Sequence, residues 1–186
     1  MLRDPRVGMK IIHGEYQLAE MQRLTRWAHD PVSSNGLATL DSLTQRDNVV
    51  KHFAAQFFTR NCDGFDNNQY LAVDDRDGRF FYALWDWERI YVGSCGLATM
   101  LKQNHVAAQL LRYPETRAQI QAVFDDLKSR LFPPDILRRL VDEEMALISR
   151  AHAEDRYLGK AGVNLQYERD MLVYFYMDWI AAFQMP

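Results

Sequence analysis

Two short apolar segments enclose a polar turn near the middle of the chain, and this feature constrains the fold more than any other. Residues 70–73 and 80–85 are rich in aromatic and β-branched side chains, and residues 74–78 between them read Asp-Asp-Arg-Asp-Gly. Aromatic and β-branched residues favour strands, whereas Asp and Gly favour turns. The pattern predicts a β-hairpin. Because both segments are apolar on both faces, we expect helices to cover them.

The position of the turn also predicts the register of the hairpin. If Val73 pairs near Phe80, antiparallel pairing places Asn68 opposite Trp85. Asp86 follows directly after Trp85 in the sequence. The hairpin is therefore expected to bring the polar groups at its two ends together.

Most of the remaining chain has the apolar spacing of amphipathic helices. We expect Asp47 to be the N-cap of a well-buried central helix that leads directly into the polar loop at 61–63, and Asn164 to cap the last helix. The predicted fold class is mostly α with a small β-hairpin, an α+β domain. The segments with helical spacing begin near Glu15, Asp47, Pro114, Pro134 and Asn164.

Length and composition indicate an ordinary globular protein. The 186 residues predict a single domain, residues 1–186, in which 1–34 have no firm assignment. The net charge of −3 and the absence of a basic patch argue against a nucleic-acid partner. We find no signal peptide and no apolar run long enough to span a membrane. The expected location is therefore cytoplasmic by default, and no feature indicates an oligomeric state.

Cysteine, histidine and tryptophan are interpreted as structural residues. A disulfide between Cys62 and Cys95 is conceivable because both flank the polar loops, but two cysteines make no framework, and we expect unpaired buried thiols. The five histidines lack metal-ligand spacing, so no zinc site is expected. We expect Trp85 and Trp87 to pack in the core rather than to stack on a nucleobase.

Three polar residues around the hairpin have the spacing of a phosphotransfer site. Asp63 and Asn68 stand five residues apart in a loop, and Asp86 follows the hairpin. Protein kinases use a catalytic Asp, a Mg²⁺-binding Asn five residues later and a second Mg²⁺-binding Asp after a short hairpin. Mg²⁺ prefers such hard oxygen ligands. Clusters of Asp, Asn and Gly also form turns and helix caps, and the pattern alone leaves both interpretations open.

The sequence around the hairpin also carries a family resemblance. It contains Asn61-x-Asp63, then Asn-Gln-Tyr-Leu at 68–71, a short Asp/Gly turn, and Phe-Phe-Tyr-Ala-Leu-Trp-Asp-Trp-Glu at 80–88 before Gly93. These motifs are similar to the N-x-D loop, the N-Y-hydrophobic strand and the P-W-D-x-D segment of the CotH family of spore-coat-type atypical kinases. The chain resembles that family over about residues 35–183.

The resemblance implies a fold and a role for each motif residue. Residues 35–186 would form the C-terminal lobe of an atypical protein-kinase-like fold, with Asp63 as the catalytic acid. Asn68 and Asp86 would bind the cofactors, Mg²⁺ (or Mn²⁺) and ATP, and the partner would be a protein with a Ser or Thr acceptor. Glu88 replaces the second Asp of the family motif and is a further candidate metal ligand. Family members are often exported or coat-associated.

The ATP-gripping elements of a kinase N-terminal lobe are not found in the sequence. About 60 residues precede the loop and have helical patterns. No Glu can be assigned from the sequence as the ion-pair partner of Lys10 or Lys51. Three functions therefore stay open. They are a CotH-like kinase acting on protein Ser or Thr, a truncated inactive kinase-like binding module or fragment, and a small-molecule phosphotransferase, since aminoglycoside-type kinases share a D-x-x-x-x-N…D-W pattern.

Overall fold

A computed structural model of the chain describes residues 18–87, 95–131, 133–154 and 164–185. Helices and one two-stranded antiparallel sheet make up this part of the chain, which confirms the predicted α+β class. The described elements are α1 (Leu18–His29), α2 (Gly36–Leu43), α3 (Arg46–Phe58), α4 (Asp63–Asp66), β1 (Tyr70–Val73), β2 (Phe80–Ala83), α5 (Leu97–Gln103), α6 (His105–Arg112), α7 (Pro114–Asp126), a π-helical segment (Leu127–Leu131), α8 (Pro134–Glu154) and α9 (Leu165–Ala182).

The chain divides into two compact units, Met1–Phe124 with Met185–Pro186 and Asp125–Gln184. Among the described helices, none is both long and apolar enough to cross a membrane.

Helix α3 supplies much of the core of the first unit. Eight of its 13 residues are buried, among them Phe53 and Phe57, whose side chains are fully enclosed. The ring of Phe65 in α4 packs on both, with centroid distances of 5.7 Å to Phe53 and 4.9 Å to Phe57. Burying such rings is the main source of stability in a core of this kind. The predicted buried helix that leads into the polar loop is confirmed.

The N-cap of α3 is Gln45, so the prediction of Asp47 is wrong by two residues. The Gln45 backbone N–H donates to the Phe80 carbonyl at the edge of the sheet at 2.8 Å, and the helix begins at the next residue, Arg46. Asp47 lies in the first turn instead, where it accepts from Lys51 Nζ at 2.7 Å. Negative charge in a first turn is favourable because it faces the positive end of the helix dipole.

The hairpin has the predicted register, from Tyr70 paired with Ala83 to Val73 paired with Phe80. β2 ends at Ala83, two residues before the predicted end of the strand. In the turn, the Asp74 carboxylate accepts from the Arg76 guanidinium and backbone N–H and from a side-chain amide, and these hydrogen bonds hold the pKa of Asp74 far below its usual range. The turn closes at a glycine with a positive φ, which favours Gly.

One face of the hairpin packs on α3. Phe80 and Tyr82 alternate on that face and are buried, as the period of two in a strand requires. The Asn48 side chain of α3 donates to the Tyr82 carbonyl at 3.0 Å and accepts from the Tyr82 N–H at 2.7 Å. Tyr70 on β1 is 41% exposed, so the prediction that helices cover both faces is wrong at this residue.

Helix α2 was not predicted. Residues 33–36 read Ser-Ser-Asn-Gly, a composition typical of turns, yet a helix of two turns starts at Gly36 without a side-chain cap bond. It is held by tertiary packing, since Leu40 and Leu43 are buried and α2 contacts α1. Tertiary contacts of this kind override a weak local signal.

The second unit contains α8 and α9, which pack on each other. Helix α8 begins at Pro134 and Asn164 caps α9 by accepting from the Tyr167 N–H at 3.1 Å, so both predictions are confirmed. Arg169 of α9 donates to Asp142 of α8 at 2.6 Å, and this hydrogen bond lowers the pKa of the Asp142 carboxyl.

Candidate functional site

A tight turn after α3 presents the loop that carries Asp63. Arg60 has a φ of 47°, a left-handed conformation that is uncommon for a residue with a side chain. The next residue, Asn61, is fully buried; its N–H donates to the Gln56 carbonyl at 3.0 Å, and its Oδ1 accepts from the Gly64 N–H at 3.2 Å. This turn places Asp63 at the first position of α4.

The structure brings Asp63 and Asn68 together. The Asn68 N–H donates to the Asp63 carbonyl at 2.8 Å, and Asn68 Nδ2 lies 3.5 Å from Asp63 Oδ2. Asn67 Nδ2 lies 3.4 Å from the other carboxylate oxygen. Asp63 and Asn68 are both half-buried, so their side chains are held by the loop and still reach solvent.

Asp86 lies at the same end of the hairpin as this loop. The last strand pair is Tyr70 with Ala83, so Asn68 precedes it by two residues and Asp86 follows it by three. The Tyr70 and Trp85 rings meet edge to face at 5.2 Å across the two chain segments. Asp86 is exposed and has a φ of 52°, a left-handed backbone conformation.

The other candidate ligand, Glu88, lies outside the described residues.

Trp85 corrects the prediction that both tryptophans pack in the core. Its side chain is 55% exposed, and that of Leu84 is 54% exposed. The reason is that β2 ends at Ala83, so the following residues extend beyond the part of the hairpin that α3 covers. Trp87 is half-buried.

Cys62 and Cys95 form a disulfide, so the prediction of unpaired thiols is wrong. Their Cα atoms are 6.1 Å apart, within the usual range for such bonds. The packing of α4 on α5 brings the two cysteines together across 33 residues of sequence. Arg60 Nε also donates to the Cys95 carbonyl, at 2.5 Å. The loop before Asp63 is therefore fixed to the segment that follows the hairpin.

Asn104 holds the other side of the loop and was not identified from the sequence. Its Nδ2 donates to Gln69 Oε1 at 3.0 Å and to the Phe65 carbonyl at 3.3 Å, while its Oδ1 caps α6 by accepting from the Ala107 N–H at 2.9 Å. The side chain is buried. An Asn before a helix predicts a cap, but nothing in the sequence connects it to a loop 35 residues earlier.

A layer of buried polar side chains lies behind the loop. It consists of four residues that are each at most 3% exposed: His52, Gln56, Asn61 and Tyr82. The imidazole stacks on the phenol ring at 4.6 Å. Burial lowers the pKa of His52 to about 4 and raises that of the Tyr82 hydroxyl, so both groups are neutral at pH 7.

The polar layer contacts the loop directly at Gly64. A Cβ atom at this position would overlap the Gln56 side-chain amide, so the loop backbone rests on that group. Among the described residues, neither the Gln56 amide nor the two His52 ring nitrogens have a hydrogen-bond partner. Buried polar groups without partners cost about 1–3 kcal/mol each.

The donor set at the hairpin end fits a hard cation. Within the described part of the chain, no three His, Cys, Asp or Glu residues are grouped to hold a metal ion. Asp63 and Asp86 offer carboxylate oxygens and Asn68 an amide oxygen. Mg²⁺ is usually bound by one or two carboxylates together with substrate phosphates and water. The residues therefore suit Mg²⁺ with a phosphate ligand better than a metal held by protein alone.

Comparison with known proteins identifies a family. Residues 10–176 match the family model described as CotH kinase protein, which is most of the chain. A comparison with curated proteins finds no match.

Proposed function

Because the chain belongs to the CotH family, we propose that it transfers the γ-phosphoryl group of ATP to a Ser or Thr hydroxyl of a protein. In this proposal the described helices and hairpin correspond to the C-terminal lobe of an atypical kinase. The observation that carries it is the contact of Asp63 with Asn68 in one loop, at the hairpin end where Asp86 also lies.

Each of the three residues has a distinct task. Asp63 orients the acceptor hydroxyl and accepts its proton, which needs a carboxylate within hydrogen-bond reach of that oxygen. Asn68 and Asp86 hold Mg²⁺ (or Mn²⁺), with Glu88 as a further candidate ligand. When bound, ATP and the metal supply the phosphoryl group and neutralise its negative charge.

The surrounding contacts suit such a role because they fix the loop from several sides. The disulfide and Arg60 hold its start, and Asn104 holds its end. Positioning accounts for much of the catalysis of phosphoryl transfer, and a carboxylate displaced by about 1 Å loses much of its effect. The left-handed backbone at Arg60 and Asp86 is also typical of sites where the surrounding structure holds a costly conformation.

Phosphoryl transfer is tested with purified protein, Mg²⁺ or Mn²⁺ and labelled ATP, in the presence of a generic protein acceptor. Wild-type protein should label itself or the acceptor, and Asp86→Ala should reduce labelling by at least about 100-fold because a metal ligand is lost. Asp63→Asn should lose transfer and keep nucleotide binding. In a parallel reaction with an aminoglycoside as the acceptor, labelling of the aminoglycoside without labelling of protein would support a small-molecule phosphotransferase.

Asp75→Ala is a matched control, since Asp75 is an exposed carboxylate in the turn at the opposite end of the hairpin. It should label at the wild-type rate. Equal labelling by wild type and Asp86→Ala would contradict the proposal.

A second candidate is an inactive kinase-like binding module. The two Asn amides that face Asp63 at 3.4 and 3.5 Å are also the contacts expected of a purely structural turn. Thermal unfolding separates the candidates. A nucleotide at tenfold excess over its Kd would add about 1.4 kcal/mol, a rise in Tm of about 3–5 °C for a chain of this size. A shift with nucleotide and metal, without transfer, would favour the binding module.

A further inference from the structure

A cavity of about 210 Å³ lies on the first unit away from the hairpin, where α1 meets the start of α2. Its lining includes Arg23, Arg26 and Trp27 from α1, Gly36 at the first position of α2, and Tyr113 after α6. Neither the family motifs nor the proposed phosphotransfer site include any of these residues.

The aromatic wall of the cavity is rigid. Trp27 and Tyr113 are buried and stack with an interplanar angle of 9° and centroids 6.1 Å apart. Trp27 Nε1 donates to the Gly36 carbonyl at 2.8 Å, and the Ser33 N–H donates to the Tyr113 hydroxyl at 3.4 Å. A Cβ at Gly36 would overlap the Tyr113 hydroxyl, so this close packing requires glycine. The shape of the wall is therefore set before any ligand binds.

The open side of the cavity carries positive charge. Arg23 and Arg26 lie one turn apart on α1, a spacing that puts two side chains on the same helix face. Both side chains are exposed, and no described carboxylate forms an ion pair with either guanidinium. The Arg23 guanidinium makes a long polar contact, 3.5 Å from its Nη2 to Ser42 Oγ. Asp30 is the one carboxylate among the lining residues, so the lining carries a net charge of +1.

The size and charge of the cavity together indicate the class of ligand. Pockets for drug-sized molecules usually have about 300–1,000 Å³, so this one is too small for a nucleotide. Each guanidinium offers a planar pair of N–H donors, and one carboxylate can bind only one guanidinium in this two-pronged way. A phosphate monoester has three acceptor oxygens and a charge near −2, and it can accept from two arginines at once.

We propose that the Arg23–Arg26 cavity binds a phosphate dianion, either free inorganic phosphate or the phosphate group of a phosphorylated protein side chain. The proposal is independent of catalysis at Asp63, so it can stand or fall separately from the proposed kinase activity. In the bound state the two guanidinium groups hold the phosphate oxygens over the Trp27–Tyr113 wall.

The binding test uses the full chain at pH 7.5 and constant ionic strength, with inorganic phosphate in one arm and a phosphoserine peptide in the other. Saturable binding is measured by calorimetry and by the rise in Tm. Acetate at the same ionic strength shows whether a carboxylate suffices, and the unphosphorylated peptide shows whether the phosphate is required. We expect Arg23→Ala and Arg26→Ala each to weaken binding at least 10-fold. Asp30→Asn removes the opposing carboxylate and should tighten binding several-fold.

Arg138→Ala is the matched control, because Arg138 is an exposed arginine on α8 in the second unit. It should bind phosphate as the wild type does. Binding of the peptide but not of inorganic phosphate would assign the site to a phosphorylated protein, and the reverse would assign it to the free anion. The proposal is wrong if neither phosphate probe binds, if acetate binds equally well, or if the two arginine variants bind with wild-type affinity.

Discussion

At the residue scale, His52 links the buried polar layer to the pH dependence of stability. Burial lowers the pKa of its imidazole from 6.5 to about 4 in the folded chain. Between these two pH values the unfolded chain binds a proton that the folded chain does not. The free energy of unfolding therefore has its full value above pH 6.5. It decreases as the pH falls below 6.5 and is lower by about 3 kcal/mol at pH 4. Urea unfolding at pH 7, 5.5 and 4 measures this decrease.

Replacement of His52 tests the assignment. His52→Phe keeps a ring against Tyr82 and removes the titrating group, so most of the decrease between pH 6.5 and 4 should disappear. His152→Gln alters a histidine of α8 in the second unit, outside the buried polar layer, and should keep the wild-type pH profile. A His52→Phe variant that loses as much stability on acidification as the wild type would contradict the assigned pKa.

At the element scale, one side chain joins α3 to the hairpin. The Asn48 amide bonds both the N–H and the carbonyl of Tyr82, as a neighbouring strand would do. Asn48→Ala leaves both backbone groups without their partner and should lower the free energy of unfolding by about 1–3 kcal/mol. Asn48→Asp keeps the acceptor for the Tyr82 N–H and loses the donor to the Tyr82 carbonyl. Only the hydrogen bond to the carbonyl should therefore be lost in this variant. Urea unfolding and hydrogen exchange at the Tyr82 N–H measure both effects.

Asn67→Ala is the control for this prediction, because it removes an exposed amide whose contact with Asp63 is 3.4 Å long. It should change stability by less than about 0.5 kcal/mol. Unchanged exchange of the Tyr82 N–H in Asn48→Ala would show that the amide does not hold the hairpin.

The elements predicted correctly from the sequence are those whose signals are local. The Asp-Asp-Arg-Asp-Gly turn sets the register of the hairpin, and Asn164 lies next to the helix that it caps. The contacts of Asn48 and Asn104 join residues 34 and 35 positions apart, so no local pattern indicates them. The same reason explains why Gln45 was not predicted as the N-cap of α3, since its backbone N–H is hydrogen-bonded to the sheet edge at Phe80. Periodicity and capping rules do not include such tertiary contacts.

At the scale of the whole molecule, the sequence indicates which residues are candidates for the site but not which contacts hold them in place. Spacing and family motifs were enough to select Asp63, Asn68 and Asp86. The disulfide beside Asp63 was not expected, because two cysteines in a sequence carry no information on distance in space. The buried polar layer beside the loop was also not predicted. His52 and Gln56 lie on a helix with a wide apolar face, and its sequence pattern does not indicate that these two polar residues are buried as well.

The disulfide gives a prediction for the first unit alone. It closes a span of 33 residues that contains the whole hairpin, and this constraint on the unfolded chain is worth about 3–4 kcal/mol. Reduction with dithiothreitol should lower the free energy of unfolding of the first unit by that amount. The Cys62→Ser/Cys95→Ser variant should show the same loss and should not respond to the reductant.

The second unit is an internal control for this experiment, because it contains neither cysteine. Trp179 is its tryptophan, whereas Trp27, Trp85 and Trp87 lie in the first unit. In a Trp179→Phe background the fluorescence therefore follows the first unit, and its urea midpoint should fall on reduction. A midpoint that is the same for the oxidised protein, the reduced protein and the double serine variant would show that the bond does not constrain the unfolded chain.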